Sequence, residues 1–169
     1  MMHFLRLVHI LGGVFWVGST IFMAAFLGPT VRAIGPAGGQ VMQQLAQVRK
    51  LPMYMMGSMA ATLLSGIALY WLASGGFSNS WPASGPGTTF GLGAVFAILG
   101  ATIGVAVSMP AARRLGVLGA TIAKSGGPPS AEQVAELQRL QGRMATATQI
   151  VAILLVLATA AMAVARYVA

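Results

Sequence analysis

Residues His3 to Leu27 read HFLRLVHILGGVFWVGSTIFMAAFL, and the only ionisable side chains in this run are His3, Arg6 and His9, all near its start. About 20 apolar residues are what an α-helix needs to cross a bilayer. Lipid admits only helices and closed barrels, because no water is present to satisfy exposed backbone groups. Three further runs of the same kind follow, Pro52 to Ala73, Thr88 to Met109 and Ala147 to Val168. With 57% apolar and 7% charged residues among 169, the chain cannot cover a water-soluble surface. The expected fold is all-α, a transmembrane four-helix bundle forming one domain over 1–169. The first run is too long for the apolar core of a secretory signal and lacks a small-residue cleavage site before a polar chain, so it reads as a retained helix.

Proline and glycine punctuate these runs. Pro29, Gly35-Pro36, Pro52, Pro82, Pro86, Pro110 and Gly126-Gly127-Pro128-Pro129 fall at or beyond the expected limits, where a missing N–H costs least. Helical signals continue into the loops. Ser130 begins a capping box with Gln133, followed by Val134, Leu137, Gln141 and Met144 at helical spacing, so the fourth helix is expected to approach forty residues. Gly38 to Val48, with Val41, Leu45 and Val48 on one stripe, reads as a second short helix. Both segments suit either packing on the spans or lying on the membrane surface.

Charge sets the expected orientation. Arg32, Arg49 and Lys50 lie in the first loop, Arg113, Arg114, Lys124, Arg139 and Arg143 in the third, and Ser74 to Gly87 carries none. The positive-inside rule then makes loops one and three, with their helical extensions, cytoplasmic and puts both termini outside. The net charge of +8 is thus a topology signal that also favours anionic lipid. It does not form the basic stripe with stacking aromatics that would bind nucleic acid. The absence of cysteine excludes disulfides and thiolate metal sites. The only carboxylates, Glu132 and Glu136, are four apart on one helix face in a loop, so a membrane acid/base pair is excluded.

An ionisable residue inside a span is a functional-site hypothesis by default, and His9 is the deepest. Arg6, His9, Gly13, Trp16 and Thr20 share one face, with His9 roughly 10 Å below the boundary. A neutral imidazole there can ligate iron or copper, and Arg6 one turn shallower can pair with an anionic group. Gly12 and Gly13 would let a porphyrin edge approach, and Trp16 would cap its buried side. In the fourth run Met162 and Arg166 share a face at matching depth, which makes Met162 a second-ligand candidate and Arg166 a second anion partner. Methionine also fills membrane cores routinely, and His9 could equally be a hydrogen-bonded link between helices. Met53, Met55, Met56 and Met59 resemble a soft-metal ladder for Cu(I) but suit core filling as well; His3 reads as a solvated terminal residue. Small residues Gly93, Ala97, Gly100, Gly104 and Ser108, and Gly57 with Ala61 and Ser58 with Thr62, mark helix contacts or a dimer seam.

The opening Leu5-Arg6-Leu7-Val8-His9-Ile10-Leu11-Gly12-Gly13-Val14-Phe15-Trp16-Val17-Gly18, the Arg49-Lys50-Leu51-Pro52 stretch, Arg114-Leu115-Gly116, Ser125 to Gln133 and Met162 to Tyr167 resemble a bacterial integral-membrane family. That family is similar to the CopD-like group, which includes copper-resistance D proteins and HemJ-type protoporphyrinogen oxidases. The resemblance implies a four-helix bundle in the bacterial inner membrane, places His9 at the HemJ-type histidine and makes haem b the leading cofactor. The essential lysine of the HemJ type has no counterpart, since Thr88 to Met109 is uncharged. CopD-type proteins are longer and richer in histidine. The expected function is haem-based electron transfer or redox chemistry on a small or quinone-like substrate, with a redox partner protein and a homodimer. The alternatives are copper handling, or a subunit without a cofactor.

Overall fold

The computed structural model describes residues 1–78 and 80–168. Helix α1 covers Met2–Ala33. Helix α2 is Pro36–Gln43, prolonged by a π-helical turn Gln44–Val48. Helices α3, α4 and α5 cover Leu51–Ala73, Gly85–Ser125 and Ala131–Tyr167. No strand occurs among the described residues. All but α2 are long and apolar enough to cross a membrane, so the chain reads as a multi-pass membrane protein whose helices face lipid.

Two helices do not stop where the prolines predict. Helix α1 continues past Pro29 and α4 continues past Pro110. Both use the same device, a π turn ending two residues before the proline: Met23–Leu27 ahead of Pro29 and Gly104–Ser108 ahead of Pro110. Proline lacks the N–H for the preceding turn and its ring crowds a carbonyl there. A wider turn re-pairs those carbonyls without ending the helix. At 1.5 Å per residue α4 is therefore about 60 Å long and α5 about 55 Å, against a hydrocarbon core of about 30 Å. Helix α3, with 23 residues, is about 35 Å long and matches the core.

Neighbouring spans are antiparallel. Helix α1 lies along α3 and α4 along α5, and these two hairpins meet less extensively along α1–α5 and α3–α4. Both termini and the uncharged 74–84 loop thus share one end of the bundle, the terminal end. Helix α2 and the extensions of α4 and α5 share the other, the basic end. The loop is closed locally: Ser74 Oγ accepts from the Phe77 N–H at 2.8 Å and donates to the Trp71 carbonyl, and Gly75 and Gly76 take φ of 62° and 82°. Ser84 caps α4 by accepting from the Gly87 N–H. The Ser130–Gln133 capping box on α5 is complete in both directions.

Trp16 joins the hairpins. It is 5% exposed and packs with Ala97 and Ala101 of α4 and Val151, Leu155 and Ala158 of α5, bordered by Met59 and Leu63 of α3. One indole against alanines is a steric fit, and in lipid such contacts hold helices together. Beyond the membrane depth, α4 and α5 stay clasped through buried Ala111 and Leu140. On that exposed surface Arg139 Nε and Nη2 each lie 2.7 Å from a Glu136 carboxylate oxygen. The Glu136 pKa is lowered, chiefly by the Arg139 hydrogen bond and more weakly by the charge of Arg114.

Candidate functional site around His9

The stripe of α1 singled out in the sequence is divided between two neighbours. Trp16 and Thr20 turn into the bundle core, and Thr20 returns its hydroxyl proton to the Trp16 carbonyl at 2.8 Å. His9 and Gly12 turn to α3. A Cβ on Gly12 would lie 2.7 Å from Thr62 Oγ1 and 3.2 Å from the Ser58 carbonyl oxygen, so only glycine allows this approach. One on Gly13 would make an ordinary 3.7 Å contact with Thr62 Cγ2. The glycines expected to admit a porphyrin edge therefore admit α3 instead. Trp16, expected as the buried cap of a cofactor, is instead the centre of the core, because four helices converge on it.

The imidazole itself is held firmly. Nδ1 lies 2.8 Å from the Thr62 carbonyl oxygen. The ring rests on Gly66, where a Cβ would meet Cε1 at 2.9 Å and Nδ1 at 3.1 Å. A carbonyl oxygen only accepts, so Nδ1 carries the proton. In the neutral ring the lone pair is then on Nε2. Ser65 Oγ stands 3.5 Å from Nδ1 and donates to the Ala61 carbonyl. A ladder of hydroxyls continues inward, with Thr62 donating to the Ser58 carbonyl at 2.7 Å and Ser58 to the Met55 carbonyl at 3.0 Å. Thr62 and Ser65 are buried, while His9 is partly exposed. A histidine whose Nδ1–H is fixed by a backbone carbonyl has the orientation metal-bound histidines adopt.

The other expected site residues lie elsewhere. The Met162 side chain packs on Gly93, whose Cβ would meet its Cγ at 3.0 Å, in the α4–α5 seam. His9 packs on α3, so the two candidate ligands face different helices. Arg6 and Arg166 are exposed and make no side-chain hydrogen bond or ion pair among the described residues. The methionines of α3 diverge: Met59 borders the core while Met53 and Met56 are exposed. Met53 lines a mostly apolar hollow of about 500 Å³ with Phe15, Tyr54, Gly57, Ser58 and Ala61. Among the described residues no three His, Asp or Glu side chains cluster as a metal group would. His3 is exposed, as expected.

Three residues that the sequence reading left out of the site complete it: Thr62, Ser65 and Gly66. Together with Ser58 they form a polar and small stripe at i, i+4, i+7 and i+8. Such a stripe on a span is the signal that would have paired α3 with His9. One turn nearer the terminal end, Tyr70 donates to the Gly87 carbonyl at 3.3 Å and meets the Trp81 ring edge-on at 5.0 Å, while Trp81 stacks near Phe90. Aromatic groups of this kind suit the membrane boundary. No protein-family model matches the chain, and no curated protein or solved structure is found similar to it.

Proposed function

We propose that this chain is a membrane redox protein that takes haem b through Nε2 of His9. The observation that supports the reading is the 2.8 Å contact between Nδ1 and the Thr62 carbonyl, which leaves Nε2 as the donor atom. The donor fits a haem iron; the Gly12–Gly13 cradle does not, since α3 fills it. Bound haem would supply one-electron chemistry. In this reading His9 holds the iron, Thr62 and Gly66 fix its ring plane, and exposed Arg6 and Arg166 are the propionate partners. Met162, engaged with Gly93, would not hold the group, and a quinone-like substrate or a redox partner protein would exchange the electron with it. The charge pattern supports basic loops inward and termini outward, and a bacterial inner membrane, which rests on the resemblance, belongs to the same proposal, as does a homodimer. Copper handling is less supported, because the methionines diverge.

A second reading has its own observation. The closeness of Gly12 to Thr62 and of Gly66 to the His9 ring is also what a purely structural link between helices requires. An absorption spectrum of detergent-purified protein separates the two. Haem binding predicts a Soret band, lost in His9→Ala and restored to His9→Gly by added imidazole. Protein produced with ample haem that shows no band, yet melts earlier as His9→Ala, overturns the haem reading in favour of the link.

A further inference from the structure

Eight of the ten Lys and Arg side chains lie at the basic end, which carries only two carboxylates. Their depth is not uniform. Because α3 matches the hydrocarbon thickness, Leu51 falls at its edge and Arg49 and Lys50 sit at the level of lipid phosphates. Lys50, with a left-handed φ of 55°, makes the turn between α2 and α3. Lys124 lies on the extension of α4, far beyond that level. Helix α2 bears no acidic residue and exposes Val41 and Val48. A wide-mouthed hollow of about 450 Å³ lies against it, lined by Gln40, Val41, Gln44, Leu45 and Arg49.

We propose that this hollow seats one anionic phospholipid of the adjoining leaflet. The Arg49 guanidinium takes the phosphate, for which its planar fork is suited. The Gln40 and Gln44 amides serve the glycerol and ester oxygens, and Val41 and Leu45 meet the start of an acyl chain. Depth, charge sign and the mixed lining all fit a headgroup with its chain attached. The proposal is independent of the His9 reading.

The test reconstitutes the full chain in phosphatidylcholine vesicles with spin-labelled phosphatidylglycerol or spin-labelled phosphatidylcholine, and measures the motionally restricted fraction of each. The wild type is expected to prefer phosphatidylglycerol. Arg49→Gln should lower that preference roughly fivefold, the effect of one cation at an anionic surface. Arg49→Lys, with unchanged helical circular dichroism, should keep most of it, and Lys124→Gln all of it. Equal losses in Arg49→Gln and Lys124→Gln would mean diffuse attraction and overturn the site, as would no loss in Arg49→Gln. The chain has no cysteine, so Gln40→Cys is a unique label; its efficient crosslinking between two copies would show a second chain on the hollow and also overturn the proposal.

Discussion

The two tight seams of the bundle perform the same task with different chemistry. Between α1 and α3 the contacts are glycine backbones, hydroxyls and one imidazole hydrogen bonded across the seam. Between α4 and α5 they are Gly93 and Gly100 under Met162 and Leu155, with no side-chain hydrogen bond crossing among the described residues. Lipid offers no hydrophobic force to associate helices, so both small-residue packing and polar links are available solutions. The first seam fixes a ring orientation and a protonated nitrogen, which the second has no means to do. The α4–α5 seam holds without such a hydrogen bond among the described residues.

The contrast can be broken most severely where the seams meet. Trp16→Ala removes the indole shared by both hairpins, and we expect a loss of about 3–5 kcal/mol, read by thermal unfolding in detergent. Gly12→Val should come next, at about 1–3 kcal/mol, because part of what it strikes is the Ser58 backbone. Gly93→Val should cost less, since a Cβ there meets a carbonyl oxygen at the same 3.2 Å but its tightest contact is Met162 Cγ at 3.0 Å, against Thr62 Oγ1 at 2.7 Å for Gly12; equal losses would show that the seams are alike after all. His9→Ala should lower stability by only about 0.6–1 kcal/mol, yet abolish the proposed haem band, which separates chemistry from cohesion.

The smallest effect lies outside the membrane. The folded pKa of Glu136 is depressed, so its pairing with Arg139 contributes above the unfolded carboxylate pKa and is lost as pH falls through the folded value. Acidification should therefore loosen the exposed part of α5, and Glu136→Gln should remove that pH response. Hydrogen exchange at residues 131–140 measures it.

Much of this architecture was legible because its causes are local. Four apolar runs, the Ser130–Gln133 box and the valine stripe of α2 each carry their own signal. The passage of α1 through Pro29 and of α4 through Pro110 was not legible, because a π turn is a backbone adjustment no residue announces. At the site, depth pointed to His9, the deeper of the two histidines. Its partner stayed hidden because the Thr62 acceptor is a main-chain oxygen. His9 and Trp16 share a face by spacing, but a helix with several neighbours divides its stripe among them, and only packing shows how. The same division took Met162 away to Gly93.

The acceptor at position 62 belongs to the peptide rather than to a side chain, and this gives the arrangement mutational robustness. Exchanging Thr62 for another residue leaves the oxygen in place so long as the rod remains intact. The imidazole can thus lose its orientation through the loss of backbone spacing, by bulk introduced at Gly12 or Gly66, far more readily than through any change of chemistry opposite it.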